Sequence, residues 1–239
     1  MFESVTELTQ EQVQWLDNCA KGSWSLNHQT GLVDVKGGFD CYDEMISDFK
    51  GVKFGVVDGD FRCSYNRHTS LDGAPREVKG NFRCSYNRLT SLVGAPLKVG
   101  GDFYCSYTAL TSLVGSPQNV GGRFVCDNNR LISLEGSPLS VGGDFNCTNN
   151  RLTSLEGAPL KVGGRFDCEN NPVSEETLKT IFTKMQKGTS YLAAVESLWI
   201  RIPQDDQVLL YSDAFKWVSP EQSRGIVALR AYQDLRGML

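Results

Sequence analysis

The chain has 239 residues, of which 40% are hydrophobic and 22% are charged, a composition typical of a folded protein and not of a disordered one. It has no run of about 18 or more apolar residues, and residues 1–5 lack the basic stretch and apolar core of a secretory signal, so we expect a protein that neither spans a membrane nor is exported. The formal net charge of −4 disfavours a protein that binds duplex DNA mainly by neutralising phosphates.

The first predicted element is a short helix. Residues 9–16 have a helical pattern that places Trp15 and Leu16 on one side, which we expect to be buried. The helix belongs to a segment, residues 1–31, that we expect to cap the structure that follows.

An internal repeat of 21 residues occupies the middle of the chain. In each copy Phe stands two residues before Cys, and Leu follows at fixed offsets, with His68 as the one exception. An additional, degenerate copy surrounds Cys41, which lies 22 residues before Cys63. The cysteines that recur at the regular interval are Cys63, Cys84, Cys105, Cys126, Cys147 and Cys168.

The repeat predicts one coil of a solenoid per copy. Phe and Cys, two residues apart, point to the same side of an extended segment, while the residue between them points to the other side. Gly and Pro turn the chain twice per copy, which leaves room for one short strand and no full helix. We expect the coils to stack and to bury continuous columns of Phe, Cys and Leu.

Asn recurs three residues after Cys, with Thr108 as the exception. A buried column of Asn side chains would hydrogen-bond to the backbone of adjacent coils. The residues concerned are Asn66, Asn87, Asn129, Asn150 and Asn171.

The pattern F-x-C-x-x-N-x-L-x-x-L resembles the L-x-L-x-x-N-x-L core of leucine-rich repeats. The phrase LTSLEGAPLKVGGRFDCENN also resembles repeat proteins encoded by tailed bacteriophages. The resemblance covers roughly residues 32–171 and implies a parallel β-sheet.

Helices are predicted after the repeat. Ser174, followed by two glutamates, is suited to the N-cap of a first helix, and further helices are predicted at 191–200, at about 206–215 and from Ser219.

The resulting prediction is an α+β protein with three parts. A solenoid of about seven leucine-rich-repeat-like coils with a parallel β-sheet spans residues 32–171. It follows the N-terminal cap, residues 1–31, and precedes a helical C-terminal subdomain, residues 172–239.

The sequence predicts no enzyme, no metal site and no cofactor. A ladder of cysteines has no unique disulfide pairing, and its spacing does not fit metal ligands, so we expect free, buried thiols in a reducing cytosol. We expect His68 to mark a partly exposed, degenerate coil rather than to act as a general base with Cys63 or Cys84. No phosphate-binding loop, nucleophile elbow or zinc-protease motif is present.

The candidate site consists of outward residues that vary between copies. The residue before Cys and the residue two after Cys are Arg or Tyr in the first three regular copies and mostly Asn or acidic in the last three. Arg and Tyr are enriched in protein-binding hot spots. The alternative is that the tyrosines only stack on one another to stabilise the fold. The candidate partner-binding residues are Arg62, Tyr65, Arg83, Tyr86, Tyr104 and Tyr107.

A further column of arginines could follow the phosphates of a single strand beside the tyrosines. Residues 57–171 nevertheless carry 12 Lys and Arg against 11 Asp and Glu, so we favour solvated surface arginines. The column consists of Arg67, Arg88, Arg130 and Arg151.

The sequence therefore predicts a non-enzymatic, protein-binding scaffold. The phage resemblance implies a phage-encoded protein that acts on a host defence or regulatory protein in the bacterial cytoplasm. The alternatives are a structural or assembly component of a virion and a protein that binds single-stranded nucleic acid. We expect a protein partner and no membrane partner, and nucleic acid is disfavoured. The sequence leaves the oligomeric state open.

Overall fold

Stacked coils of parallel strands form most of the described chain. The structure, a computed structural model, describes residues 7–173, and the predicted C-terminal helices, which begin at residue 174, lie outside them. The elements in chain order are α1 (Gln10–Cys19), β1 (Ala20–Asn27), β2 (Leu32–Asp40), β3 (Phe54–Val57), β4 (Phe61–Arg62), β5 (Glu77–Val78), β6 (Phe82–Arg83), β7 (Lys98–Val99), β8 (Phe103–Tyr104), β9 (Asn119–Val120), β10 (Phe124–Val125), β11 (Ser140–Val141), β12 (Phe145–Asn146), β13 (Lys161–Val162) and β14 (Phe166–Asp167).

The strands form two parallel ladders that share β2. The Phe-side ladder runs β2, β4, β6, β8, β10, β12, β14, and the Val-side ladder runs β2, β3, β5, β7, β9, β11, β13. The Phe-side ladder has one strand per coil, and its seven strands confirm the predicted solenoid of about seven coils. Each regular coil contributes two short strands, so the prediction of one strand per coil was wrong. The Val that precedes each Gly-rich corner is itself paired to its equivalent in the next coil, as Val99 is to Val120.

Neighbouring coils approach closely at the corner between the two strands, where the later coils have two successive glycines. A Cβ atom on Gly121 would lie 2.0 Å from the carbonyl oxygen of Gly100, and one on Gly142 would lie 2.1 Å from that of Gly121. A side chain on Gly121 or Gly142 would separate these coils, whereas the earlier coils have Asp58 and Lys79 at the equivalent position.

The interior consists of columns of identical residues, as the repeat predicts. Successive Phe rings stack with centroids 5.1 to 5.7 Å apart. Burial of each such ring stabilises the fold by about 1.5–3 kcal/mol, and a coil alone cannot achieve it. The column consists of Phe39, Phe61, Phe82, Phe103, Phe124, Phe145 and Phe166.

The Asn column satisfies the backbone at the bend that follows each Phe-side strand, which confirms the prediction. Asn87 shows the pattern: its Oδ1 accepts from the amide of His68 at 3.0 Å. Its Nδ2 donates to the carbonyl oxygens of Cys63 at 2.9 Å and of Cys84 at 3.0 Å. Each Asn therefore joins two coils. At the exception, the Thr108 hydroxyl instead donates to Oδ1 of Asn129 at 2.6 Å.

The N-terminal end of the solenoid is covered by α1 and β1. Thr9 caps α1 in a capping box with Gln12, and the Trp15 ring lies 5.1 Å from Phe39 in the first coil, as a cap requires. The antiparallel pairing of β1 with β2 was not predicted; it covers an edge that β2 would otherwise expose.

The extra residue in the first coil is absorbed locally. Val33 pairs with Phe54, whereas Val35 pairs with Val57, so the register between β2 and β3 shifts within these few residues. Beyond this irregularity, each Phe-side strand from β4 onward pairs with its exact equivalent in the next copy of the repeat, as Phe61 does with Phe82 and Phe82 does with Phe103.

Replacing Thr108 with Asn should complete the Asn column. The new amide can accept from the amide of Leu89 and donate to the carbonyls of Cys84 and Cys105, as Asn87 does one coil earlier. We expect the free energy of unfolding in urea to rise by about 1 kcal/mol.

The reverse substitution, Asn87→Thr, is the matched control. It leaves buried carbonyls without their donor and should destabilise the protein by about 1–3 kcal/mol. Equal stabilities of the wild type and both variants would show that the column contributes nothing.

Candidate protein-interaction surface

The candidate residues form two exposed ladders along the solenoid. The Arg-Tyr ladder (Arg62, Arg83, Tyr104) lies on the outer side of the Phe-side strands, between the buried Phe and Cys of each coil. The Tyr ladder (Tyr65, Tyr86, Tyr107) lies at the bend that follows each of these strands. Arg62, Arg83 and Tyr104 face outward, as two-residue periodicity predicts. Tyr65, Tyr86 and Tyr107 are also exposed, although that periodicity alone would place them on the same side as Cys.

Contacts in the Arg-Tyr ladder run from one coil to the next. The guanidinium carbon of Arg83 lies 4.7 Å from the centroid of the Tyr104 ring, a cation–π arrangement. The Tyr104 hydroxyl donates to Asp102 at 2.9 Å. Partial burial and this hydrogen bond raise the pKa of Tyr104 above its ordinary value. Arg62 lies 3.8 Å from Asp40 and 3.7 Å from Asp60, distances that leave its guanidinium only weakly engaged.

The Tyr ladder is a continuous stack of rings. The centroids of Tyr65 and Tyr86 are 4.2 Å apart, and those of Tyr86 and Tyr107 are 4.6 Å apart with an interplanar angle of 5°. The three side chains nevertheless remain 40 to 47% exposed. A hydrogen bond with Tyr65 raises the pKa of Tyr86. The stacking predicted as the alternative is therefore present, and it leaves the outer edge of the stack accessible to a partner.

The backbone at the Tyr ladder is left-handed. The φ angles of Tyr65, Tyr86 and Tyr107 lie between 53° and 58°, a region that Asn tolerates and that costs a bulky residue about 1 kcal/mol or more. The next three coils have the same left-handed backbone and place Asn there. Those residues are Asn128, Asn149 and Asn170.

Tyr42 extends the Tyr ladder by one coil, which the sequence analysis missed. Its ring lies 5.1 Å from that of Tyr65, and its side chain is exposed. It stands one residue after Cys41 rather than two, so strict repeat alignment places Asp43 at the ladder position. The only signal was an aromatic residue beside that position in an irregular coil.

The remaining three coils continue the same face with different chemistry. The Arg-Tyr ladder is followed by Val125, Asn146 and Asp167, and acidic residues also stand beside the Asn positions, as Asp127 does. The Asp127 carboxylate accepts from the hydroxyl of Ser106 in the preceding coil. The face is thus basic and aromatic at one end and polar to acidic at the other.

The arginine column is separated from the Arg-Tyr ladder by the bend at the Tyr ladder. Arg67 and Arg88 are exposed beyond that bend, each two residues after a tyrosine. Arg67 contacts the sulfur of Met45 at 3.7 Å. The arginine column therefore lies on one side of the Tyr ladder, and the Arg-Tyr ladder lies on the other side.

A second exposed apolar column was not recognised from the sequence. Leu97, Leu139 and Leu160 follow the proline of their coils and are 51 to 77% exposed. Arg76 and Gln118 stand at the equivalent positions of two other coils, so the column is interrupted.

The cysteine side chains are buried, as predicted, and none forms a disulfide within residues 7–173. The Sγ atom of Cys84 donates to the carbonyl oxygen of Tyr104 in the next coil at 3.3 Å, and Cys126 donates to Asn146 in the same way. Burial raises the pKa of Cys84 and Cys126 far above neutral pH, and burial together with a hydrogen bond to Glu44 raises that of Cys19 to about 12. These thiols stay protonated and are weak nucleophiles.

His68 is fully buried, so the expectation of partial exposure was wrong. It occupies the Leu position of its coil, where the stack leaves no route to solvent, and its ring lies 4.6 Å from that of Phe49. Neither ring nitrogen has a well-formed hydrogen bond among the described residues. Burial lowers the pKa of His68, and the nearby backbone of Ser47 and the charge of Asp48 offset only part of this effect.

No protein-family model, curated protein or solved structure matches the chain. The likeness to leucine-rich repeats is therefore a resemblance of motif.

Within residues 7–173 there is no group of three or more His, Cys, Asp or Glu residues arranged to hold a metal ion. No helix in this range is long and apolar enough to cross a membrane.

Replacing His68 with Leu should remove a pH-dependent weakness from the core. The unfolded chain protonates His68 near its ordinary pKa of 6.5, whereas the folded chain resists protonation until a lower pH. The free energy of unfolding of the wild type should therefore fall as the pH drops below about 6.5.

We expect His68→Leu to raise stability by about 1–3 kcal/mol at neutral pH, because a polar ring without a well-formed hydrogen bond is removed from the core. The gain should be larger at pH 5. Urea denaturation of the wild type and the variant at neutral pH and at pH 5 measures this gain in the free energy of unfolding. An identical pH dependence in the wild type and the variant would contradict a buried, neutral His68.

Proposed function

We propose that the protein is a non-enzymatic scaffold that binds another protein through the Arg-Tyr and Tyr ladders. The proposal follows from the tyrosines at left-handed backbone. Three successive coils place Tyr where the fold favours Asn, and the following three coils place Asn at the same φ. Backbone strain of this kind, in exposed aromatic residues, is typical of functional surfaces.

Stability alone does not account for the Tyr ladder. Each stacked aromatic pair contributes about 0.5–1.5 kcal/mol. Each left-handed Tyr costs about 1 kcal/mol. The two terms nearly cancel over Tyr65, Tyr86 and Tyr107, whereas the ladder exposes large rings that a partner can cover. Tyr and Arg are also the residues that dominate protein-binding hot spots.

The rigidity of the solenoid supports binding over a broad surface. Backbone hydrogen bonds to neighbouring coils hold both ladders. The Tyr86 amide donates to the Ser106 carbonyl of the next coil at 3.0 Å, and the Arg83 carbonyl accepts from the Cys63 amide of the preceding coil at 2.8 Å. A surface that is ordered before binding loses little conformational entropy when a partner is bound.

The same stacking disfavours single-stranded nucleic acid. Nucleobases bind by stacking on open aromatic faces, and the faces within the Tyr ladder are occupied by neighbouring tyrosines at 4.2 and 4.6 Å. A protein partner, which can contact ring edges and hydroxyl groups, fits this surface better.

The class of partner is proposed from the sequence resemblance. The repeat phrase resembles proteins encoded by tailed bacteriophages, which supports a phage-encoded protein that binds a host defence or regulatory protein in the bacterial cytoplasm. The weak nucleophilicity of the buried thiols supports a role without catalysis.

The test is a triple variant, Tyr65→Asn, Tyr86→Asn and Tyr107→Asn. It introduces residues that the solenoid already places at equivalent positions in later coils, so the fold should be retained and the melting temperature should change by only a few degrees. The wild type should capture a stoichiometric protein from bacterial lysate, and the variant should not.

Arg88→Asp is the matched control, because Arg88 is exposed beyond the bend and outside both ladders. It should retain capture. Undiminished capture by the folded triple variant would refute the assignment of the Tyr ladder as the binding surface.

A further inference from the structure

The face that carries the two ladders is complementary to itself when reversed. It has six rungs, one per coil, from the rung of Arg62 and Tyr65 to the rung of Asp167 and Asn170. Large and basic residues occupy the first rungs, and small, polar or acidic residues occupy the last rungs. Reversing the order of the rungs places each property opposite its complement.

We infer that two copies of the chain pair through this face, with their solenoid axes antiparallel. A two-fold axis between the third and fourth rungs then sets the first rung of one copy opposite the sixth rung of the other. Such a pairing is isologous and closed, the commonest form of homo-oligomer. The inference rests on the proposed function, because it assigns a second copy to the same binding surface.

Charge complementarity supports the pairing. Arg62 of each copy faces Asp167 of the other, so the interface contains this pair twice. Arg62 is only weakly engaged within its own chain, at 3.7 Å or more from Asp60 and Asp40, and its side chain is 48% exposed. Asp167 accepts locally from the amide of Glu169 and remains partly exposed at the outer side of β14.

Size complementarity supports the same register. Each Tyr of the Tyr ladder faces an Asn: Tyr65 faces Asn170, Tyr86 faces Asn149 and Tyr107 faces Asn128. These six positions share one backbone conformation, with φ between 53° and 58°. The large Tyr side chains of the first three rungs therefore project further from the face than the small Asn side chains of the last three rungs. Two such steps interlock when one copy is reversed.

A register shifted by one rung is disfavoured. It would extend the interface to the first coil and set Asp40 of each copy opposite Asp167 of the other. These like charges would repel. The opposite shift sets Arg83 opposite Asp167 but pairs only five rungs and leaves Arg62 and Tyr65 uncovered, so the six-rung register makes the most favourable contacts.

The interface is short, which sets its strength. Six rungs spaced about 4.8 Å apart span about 24 Å. An interface of this length, four residues wide, lies at the low end of the sizes found for specific complexes, so we expect a dissociation constant of roughly 10–100 μM. Self-pairing would cover the ladders at high concentration and leave them open to another protein at low concentration.

Sedimentation equilibrium of the full chain at about 1–500 μM tests the inference. We expect a concentration-dependent monomer–dimer equilibrium that weakens as salt rises. Arg62→Asp and Asp167→Arg should each raise the dissociation constant at least tenfold, because each sets like charges opposite one another twice.

The decisive experiment exchanges the two charges. An equimolar mixture of the two single variants, and the double variant that carries both changes in one chain, should restore dimers, because opposite charges face each other again. Arg88→Asp is the matched control and should dimerise like the wild type. Circular dichroism and thermal melting report folding, and if one single variant unfolds, the other single variant and the salt dependence of the wild type still decide.

A wild type that is monomeric throughout this range overturns the inference, as do dimers that survive both single changes or are not restored by the exchange. These outcomes are separate from the capture experiment. Loss of self-pairing with retained capture leaves the proposed function standing, whereas dimers without capture refute a role in binding a different protein.

Discussion

The hydrogen bonds between successive coils are the constraint on which the rest of the structure depends. A regular coil contains only two short strands and cannot satisfy its own backbone. On the Phe side its amides donate to the next coil, as Phe82 does to Asp102 at 2.8 Å, and on the Val side they donate to the preceding coil, as Gly100 does to Val78 at 2.9 Å. This pairing holds only if every coil has the same length. The constant length of the repeat is therefore a structural requirement, and the single longer coil needs a register shift near Val35 to join the stack.

Stacking in register explains why the interior is uniform and how it includes polar groups. An Asn in one coil reaches the backbone of its neighbour in the same way throughout the column, so a single residue type satisfies several buried carbonyls. A thiol fits a column in which each side chain has little space and a carbonyl of the next coil lies within reach. His68 is less well satisfied, because it stands in a column of Leu side chains and has only the nearby backbone of Ser47 beside its ring, with no well-formed hydrogen bond among the described residues.

The same stacking in register places equivalent surface residues of neighbouring coils next to one another. Side chains on the outer side of the strands contact their equivalents one coil away, so Tyr stacks on Tyr and Arg83 stacks on Tyr104. The fold favours Asn at the bend and carries Tyr there in three coils at a cost in backbone strain that stacking only offsets. Along the face, basic and aromatic residues at one end are replaced by polar and acidic residues at the other end. The two ends therefore differ, as they would not in a ladder of identical residues.

The repeat by itself determined the solenoid, the buried columns, the outward orientation of Arg62 and the role of the Asn column, because periodicity specifies which residues become neighbours when identical coils stack. Only the tertiary structure decided features that depend on contacts outside the repeat or on backbone angles. These are the pairing of β1 with β2, the second strand in each coil, the burial of His68 and the left-handed conformation at the Tyr ladder. Residue type indicates that a position is apolar or exposed, but the dihedral angles and the closing of the first coil arise from how the whole stack packs.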